Sequence, residues 1–102
     1  MNKIGNYIDG KKHPGISKKT LPVFDPSTGE IQSEVILSNN DDFNLVIESA
    51  KKSFVEWSNI TPLKRSRIIS KYKDLLEKNK KELASHVSKE HGKTLEDAMG
   101  SV

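Results

Sequence analysis

The 102 residues contain no cysteine, which removes disulfides, thiolate metal sites and any thiol nucleophile from this stretch. Long apolar runs are missing too. Val35-Ile36-Leu37 and Leu45-Val46-Ile47 are the longest, far short of the roughly 20 residues a bilayer-spanning helix needs, so no transmembrane helix is expected. Residues 1–10 hold one lysine, one aspartate and two glycines, with no apolar h-region and no Arg/Ser-rich amphipathic stretch. Neither a secretory signal nor a transit peptide is legible there, and the cytoplasm is the default compartment. The glycines at 5, 10, 15, 29, 92 and 100 are isolated, so no G-x-G-x-x-G phosphate loop follows a strand. Repeats and low-complexity tracts are also lacking, which excludes an array or a linker.

What is present is the composition of a globular chain with a thin core: 33% hydrophobic and 30% charged residues, enough for one domain at most. The net charge of +3 is local. Residues 61–81 carry Lys64, Arg65, Arg67, Lys71, Lys73, Lys78, Lys80 and Lys81 against Asp74 and Glu77, whereas 41–60 and 82–102 are acidic. A solvated helix face accounts for such a run. Nucleic-acid sites add interleaved aromatics or a recognisable module, and only Tyr72 interrupts this one.

The first third reads as β and the rest as α. Ile4, Tyr7 and Ile8 lead to Asp9-Gly10, a dipeptide suited to the positive φ values of a tight hairpin turn, followed by a polar run from Lys11 to Lys19. Leu21, Val23 and Phe24 make a strand that ends at Asp25-Pro26-Ser27-Thr28-Gly29, a turn sequence. Ile31, Val35 and Leu37 form the next strand.

Ser38 to Asp42 offers cap oxygens and acidic charge, so a helix begins by Asp41. Phe43, Val46, Ile47, Ala50, Phe54 and Trp57 fall on one stripe of it, which predicts a core position for Phe54 and Trp57. Thr61-Pro62 starts a second helix with Leu63, Ile68, Ile69, Tyr72, Leu75 and Leu76 as its buried side. A pause near Asn79 precedes a third, over 82–91, with Leu83, Ala84 and Val87 inward and Gly92 as its C-terminal cap. Thr94 and Asp97 resemble a capping box for a fourth helix, which runs to the last residue without a stop signal, so the sequence reads as cut.

No residue is singled out as catalytic, cofactor-binding or metal-ligating. His86 and His91 lie five apart, on different helix faces. Glu82 and His86 share a face but have no third ligand. His13 reads as a loop histidine. Asp41-Asp42 and Glu96-Asp97 stand where helix starts attract negative charge, so capping explains them without acid–base chemistry.

The order of segments says more than any one of them. Asn6-Tyr7-Ile8-Asp9-Gly10-Lys11, then Val23-Phe24-Asp25-Pro26-Ser27-Thr28-Gly29-Glu30, then the A-x-x-x-F-x-x-W stripe at Ala50, Phe54 and Trp57 resemble the start of the aldehyde dehydrogenase superfamily. Pro62-Leu63-Lys64-Arg65, Leu75-Leu76-Glu77-Lys78-Asn79, Glu82-Leu83-Ala84 and Glu90-His91-Gly92-Lys93-Thr94 continue the resemblance, which covers nearly the whole chain. Gly92-Lys93-Thr94-Leu95 with Asp97-Ala98 and Gly100-Ser101-Val102 is most similar to the CoA-acylating methylmalonate-semialdehyde branch, whose members often have threonine where many relatives have proline.

The resemblance implies an α/β fold (α+β taken as a fragment). Residues 1–102 would be its incomplete amino-terminal part, with leading β-hairpins over 1–37 and helices over 40–102 of the NAD-binding domain. It implies NAD as cofactor, coenzyme A as co-substrate, a small-molecule aldehyde substrate and a homo-oligomer, with no membrane or nucleic-acid partner. The family's catalytic cysteine, its assisting glutamate and its cofactor contacts have no counterpart in this stretch. One alternative is a fragment of another NAD(P)-dependent aldehyde dehydrogenase. A second is a small basic module that binds nucleic acid or another acidic partner through the cluster from Lys64 to Lys81; that cluster spreads around a helix and brings no known module with it.

Overall fold

The structure is a computed structural model that describes residues 2–102. Its elements are β1 (Lys3–Ile4), β2 (Asn6–Ile8), β3 (Lys11–His13), β4 (Thr20–Phe24), β5 (Ile31–Ile36), α1 (Asn40–Asn59), α2 (Pro62–Lys78), α3 (Lys80–His91) and α4 (Leu95–Ser101). The expected mixed α/β class holds. The chain divides into two compact units, one of residues 1–24 and 31–59, the other of residues 25–30 and 60–102.

The first unit contains both sheets. β2 and β3 pair antiparallel around Asp9-Gly10, whose φ values of 52° and 72° are the two positive angles a type I′ hairpin turn requires. The second sheet has the order β1-β5-β4, with β4 antiparallel and β1 parallel to β5. Sequence patterning foresaw the β4–β5 pair but not β1, whose partner lies some thirty residues away. Pro22 fits because β4 is an edge strand, where a missing N–H need break no ladder bond. Ser33, in the middle of β5, is buried.

α1 starts one residue before its expected limit. Its inward side carries the buried Asp42 and the half-buried Leu45 and Ser49. The apolar stripe points elsewhere: Phe43 is 61%, Phe54 66% and Trp57 37% exposed, so the core position expected for Phe54 and Trp57 is not realised in this chain. Helical spacing explains the difference. At about 100° per residue the stripe and the Asp42-Leu45-Ser49 row lie on separate arcs, and Leu45 and Ser49 of the second line a cavity with Ile8 of β2 and Lys11, Lys12 and His13 of β3.

In the second unit, Thr61 caps α2, its hydroxyl accepting the Lys64 amide, with Pro62 at the first helical turn. The side chains expected to be buried on α2 are not: Leu63, Ile68, Ile69, Tyr72 and Leu75 are exposed and only Leu76 is half-buried. α3 packs as foreseen, with Ala84 fully buried and Leu83 and Val87 half-buried. Asn79 separates the two helices, its amide and its Nδ2 both donating to the Leu75 carbonyl. Gly92 ends α3 in the left-handed conformation, φ 71°, and a Cβ there would sit 3.2 Å from Cγ of Pro26 in the 25–30 turn. α4 closes the unit by burying Ala98.

The apolar core is therefore small: Ala84 and Ala98 are the fully buried hydrophobic residues among those described. Small side chains bury little apolar area, and area is what opposes chain entropy. The isolated 102-residue chain is expected to unfold over a broad temperature range and to bind a hydrophobic dye before heating. A sharp, high-temperature circular-dichroism melt would contradict this.

Candidate functional site

The densest polar constellation surrounds Asp42, 1% exposed at the start of α1. Its Oδ1 accepts the Ile16 amide at 2.6 Å, and its Oδ2 accepts the amides of Ser17 and Asn39 at 3.1 Å each. Asn39 reciprocates, its Oδ1 taking the Asp42 amide at 3.0 Å. Asn39 and Asp42 thus form a capping box in which Asn and Asp replace the usual Ser/Thr and Glu. The additional bonds to Ile16 and Ser17 tie the helix start to the loop after β3.

That loop has the shape the carboxylate needs. Gly15 has φ +86°, and a Cβ on it would fall 2.9 Å from Cγ2 of Ile36, so only glycine fits. The Gly15 amide donates to Nδ1 of His13 at 3.2 Å, and Ser17 Oγ accepts the Lys19 amide at 3.2 Å, leading the chain into β4. The Asp42 carboxyl is held below its ordinary value of 3.8, chiefly by the Ile16 amide, then by Asn39 and Ser17, with attraction to a charged His13 adding to them and burial opposing.

The other groups considered from sequence are scattered. His86 lines an open groove with Tyr72, Leu75, Leu76, Asn79, Glu82 and Leu83, while His91 is the last residue of α3. Among the described residues no three of His, Cys, Asp and Glu come together as metal ligands. Thr94 Oγ1 accepts the Asp97 amide at 3.3 Å, so Asp97 is placed by capping. Most of the basic run from Lys64 to Lys81 is exposed, with Arg65 and Lys80 half-buried. Sequence reasoning placed Asp42 at a helix start but missed its grip on Ile16 and Ser17. The available signal was Asn39 three residues ahead of Asp42; nothing local points to a partner 26 residues away.

A dinucleotide would need a free helix start behind a glycine-rich turn. α1 is the helix that follows a strand, and its first turn already carries Asp41 and Asp42, with the Asn39 and Asp42 amides paired to each other's side chains. A pyrophosphate would meet like charge there. No helix among the described residues is long and apolar enough to cross a membrane.

The arrangement is one of short strand pairs leading into amphipathic helices, with α1 capped at its start and its aromatic stripe exposed. The aldehyde dehydrogenase family model matches residues 14–102, and the chain belongs to that family. A malonate-semialdehyde dehydrogenase of Pseudomonas aeruginosa is 39% identical over all 102 residues, which are 20% of its own length. A Drosophila pseudoobscura protein named as an acylating methylmalonate-semialdehyde/malonate-semialdehyde dehydrogenase is 38% identical over 96 residues, 94% of this chain and 18% of that one. Among solved structures, one from Sinorhizobium meliloti 1021 named as a methylmalonate-semialdehyde dehydrogenase, complexed with NAD, superposes with TM-score 0.97 at 40% identity. It covers 100% of this chain and 21% of its own. The chain spans about a fifth of the length of the relatives it matches.

Because the folded-state carboxyl of Asp42 is the stronger acid, its contribution to stability is complete above the ordinary value of 3.8 and is lost as pH falls through the lowered one. Amide exchange at Ile16 and Ser17 is expected to accelerate in that acidic window and, at neutral pH, in Asp42→Asn. Gly15→Ala is expected to cost about 1–2 kcal/mol through its left-handed backbone, read as roughly ten-fold faster exchange at the same amides. Unchanged protection in both variants would show that the clamp holds nothing.

Proposed function

We propose that this chain is the leading scaffold of an NAD-dependent, CoA-acylating dehydrogenase acting on malonate semialdehyde or methylmalonate semialdehyde. The observation that carries the reading is the agreement of the entire chain, in backbone and in 40% of its residues, with one such protein solved with NAD. Coenzyme A as acyl acceptor is supported by the acylating name of the Drosophila relative. A cytoplasmic homo-oligomer that takes a small-molecule aldehyde belongs to the same reading.

The role of these residues within that activity is positional. Covalent aldehyde chemistry through a thioester needs a thiolate, and none of the 102 residues is cysteine. No catalytic, cofactor-binding or metal-binding residue is assigned to this chain. It holds β-strands and an amphipathic helix in a fixed arrangement through the Asp42 clamp.

The test starts by reading the coding frame past codon 102 and purifying its product. The expected product contains a cysteine-bearing segment and forms NADH from malonate or methylmalonate semialdehyde only when coenzyme A is present. The 102-residue chain alone forms none. An in-frame stop, or a longer product inert toward every aldehyde, would overturn the reading; activity on other aldehydes alone would remove the substrate assignment, and turnover without coenzyme A would remove the acylating part.

A further inference from the structure

We propose that Asp9 is a site of spontaneous isomerisation to isoaspartate, and thereby an acceptor for carboxyl methylation by a methyltransferase of the isoaspartate-repairing class. Asp9-Gly10 is the one place in the sequence where an aspartate or asparagine precedes glycine. The Gly10 amide nitrogen attacks Cγ of Asp9 and a new N–C bond closes a five-membered succinimide. The amide proton and the hydroxyl of the protonated carboxyl leave as water. Water then returns at the backbone carbonyl and breaks the original Asp9–Gly10 peptide bond, so that the chain runs through Cβ and Cγ and the α-carboxylate is free. The two steps together lose and gain one water and need no oxidant or metal.

Closure requires an attacking N–H, room around it and a peptide plane free to rotate toward the carboxyl. Each of the other aspartates lacks one of these. Asp25 precedes Pro26, which has no N–H. Asp41 and Asp42 lie in α1, Asp74 in α2 and Asp97 in α4, where helical hydrogen bonding fixes the backbone. Asp9 and Gly10 are exposed, and a Cβ placed on Gly10 would have no heavy atom within 4 Å. They form the two-residue loop beyond Ile8↔Lys11, the last pair of a two-stranded sheet. Such a sheet is marginally stable by itself. Its half-buried residues, Asn6, Ile8 and His13, lie on the strands and not at the tip. Asp9 also holds φ 52°, in the left-handed region that disfavours a residue with a Cβ, so the closed turn is easier to leave. The Tyr7 hydroxyl donates to the Gly10 carbonyl at 3.0 Å across the tip, from a side chain 73% exposed, and gives the turn little further hold.

The product does not return to the same turn. Isoaspartate adds one carbon to the backbone between residues 9 and 10, and the type I′ loop, which needs both positive φ angles, no longer closes on the Ile8↔Lys11 pair. The freed α-carboxylate is the group such a methyltransferase esterifies, taking the methyl from the sulfonium of S-adenosylmethionine and leaving a thioether.

The experiment ages the purified product of the full coding frame at neutral pH beside a synthetic peptide of residues 4–11, and follows labelled methyl transfer from S-adenosylmethionine by a purified isoaspartate methyltransferase. Methyl acceptance in the folded protein is expected to rise with age at a rate within about ten-fold of the free peptide's, because the tip opens locally. The label maps to the tryptic peptide 4–11, in a form of unchanged mass that elutes apart from the parent. Asp9→Glu, whose closure would need a six-membered ring, lowers acceptance in that peptide by at least about ten-fold. Gly10→Ala, whose Cβ obstructs the attack, lowers it in the same direction. Acceptance is read in one peptide, so a variant that unfolds still answers.

A folded protein slower than the free peptide by more than that margin would show the turn to be locked and overturn the proposal. Label in another peptide, or acceptance that survives Asp9→Glu, would do the same. Methyl acceptance is scored without turnover and stands apart from the dehydrogenase reading.

Discussion

The first unit depends on one buried carboxylate. Asp42 is 1% exposed, and a charge taken that far out of water is tolerated only when its lone pairs are occupied. Three backbone amides occupy them, two from a loop that would otherwise have no regular partner and one from the turn that starts α1. Each connection depends on the others. The loop can approach because Gly15 adopts φ +86° against Ile36, and Ser17, one residue past the first donor, then directs the chain to Lys19, whose carbonyl receives the Leu37 amide beside the β4–β5 ladder. β3, the entry to β4, the exit from β5 and the start of α1 thus converge on a side chain that contributes almost no apolar area.

Such an arrangement explains how α1 can be placed without a large core. Hydrophobic burial is non-directional, so it orients a helix only when many side chains interlock. Charge-assisted hydrogen bonds are directional and fix an angle with few atoms. With Ala84 and Ala98 as the fully buried apolar residues described, both in the other unit, the first unit relies on the directional kind.

Much of the local structure was legible in the residues. Asp9-Gly10, Asp25 to Gly29, Thr61-Pro62, Asn79, Gly92 and Thr94 each impose a turn or a cap through their own backbone or nearest side chains, and each does so here. What was not legible depends on distant partners. β1 pairs with β5 in parallel across some thirty residues, and Asp42 reaches Ile16 across 26. Burial was the larger error. Periodicity tells which side of α1 and α2 is apolar but not whether anything covers it. Phe54, Trp57, Ile68 and Tyr72 are exposed although their spacing is that of core residues, while Leu45, off the stripe, is half-buried. An amphipathic pattern is a property of a completed fold, and this chain matches a fifth of the length of its relatives.

The two sides of α1 thereby separate two tasks usually merged in a surface helix. One arc, with Asp42, Leu45 and Ser49, fastens the helix within its unit, and the other, from Phe43 to Trp57, stays exposed. Separation has an energetic consequence. Were the stripe needed to hold α1, covering it with another surface would first require breaking its own packing, and binding would be weakened by that amount. Because polar bonds at the first turn hold the helix, the aromatic face is available at no such cost. The residues that carry the family resemblance, Ala50, Phe54 and Trp57, are those that this chain leaves uncovered.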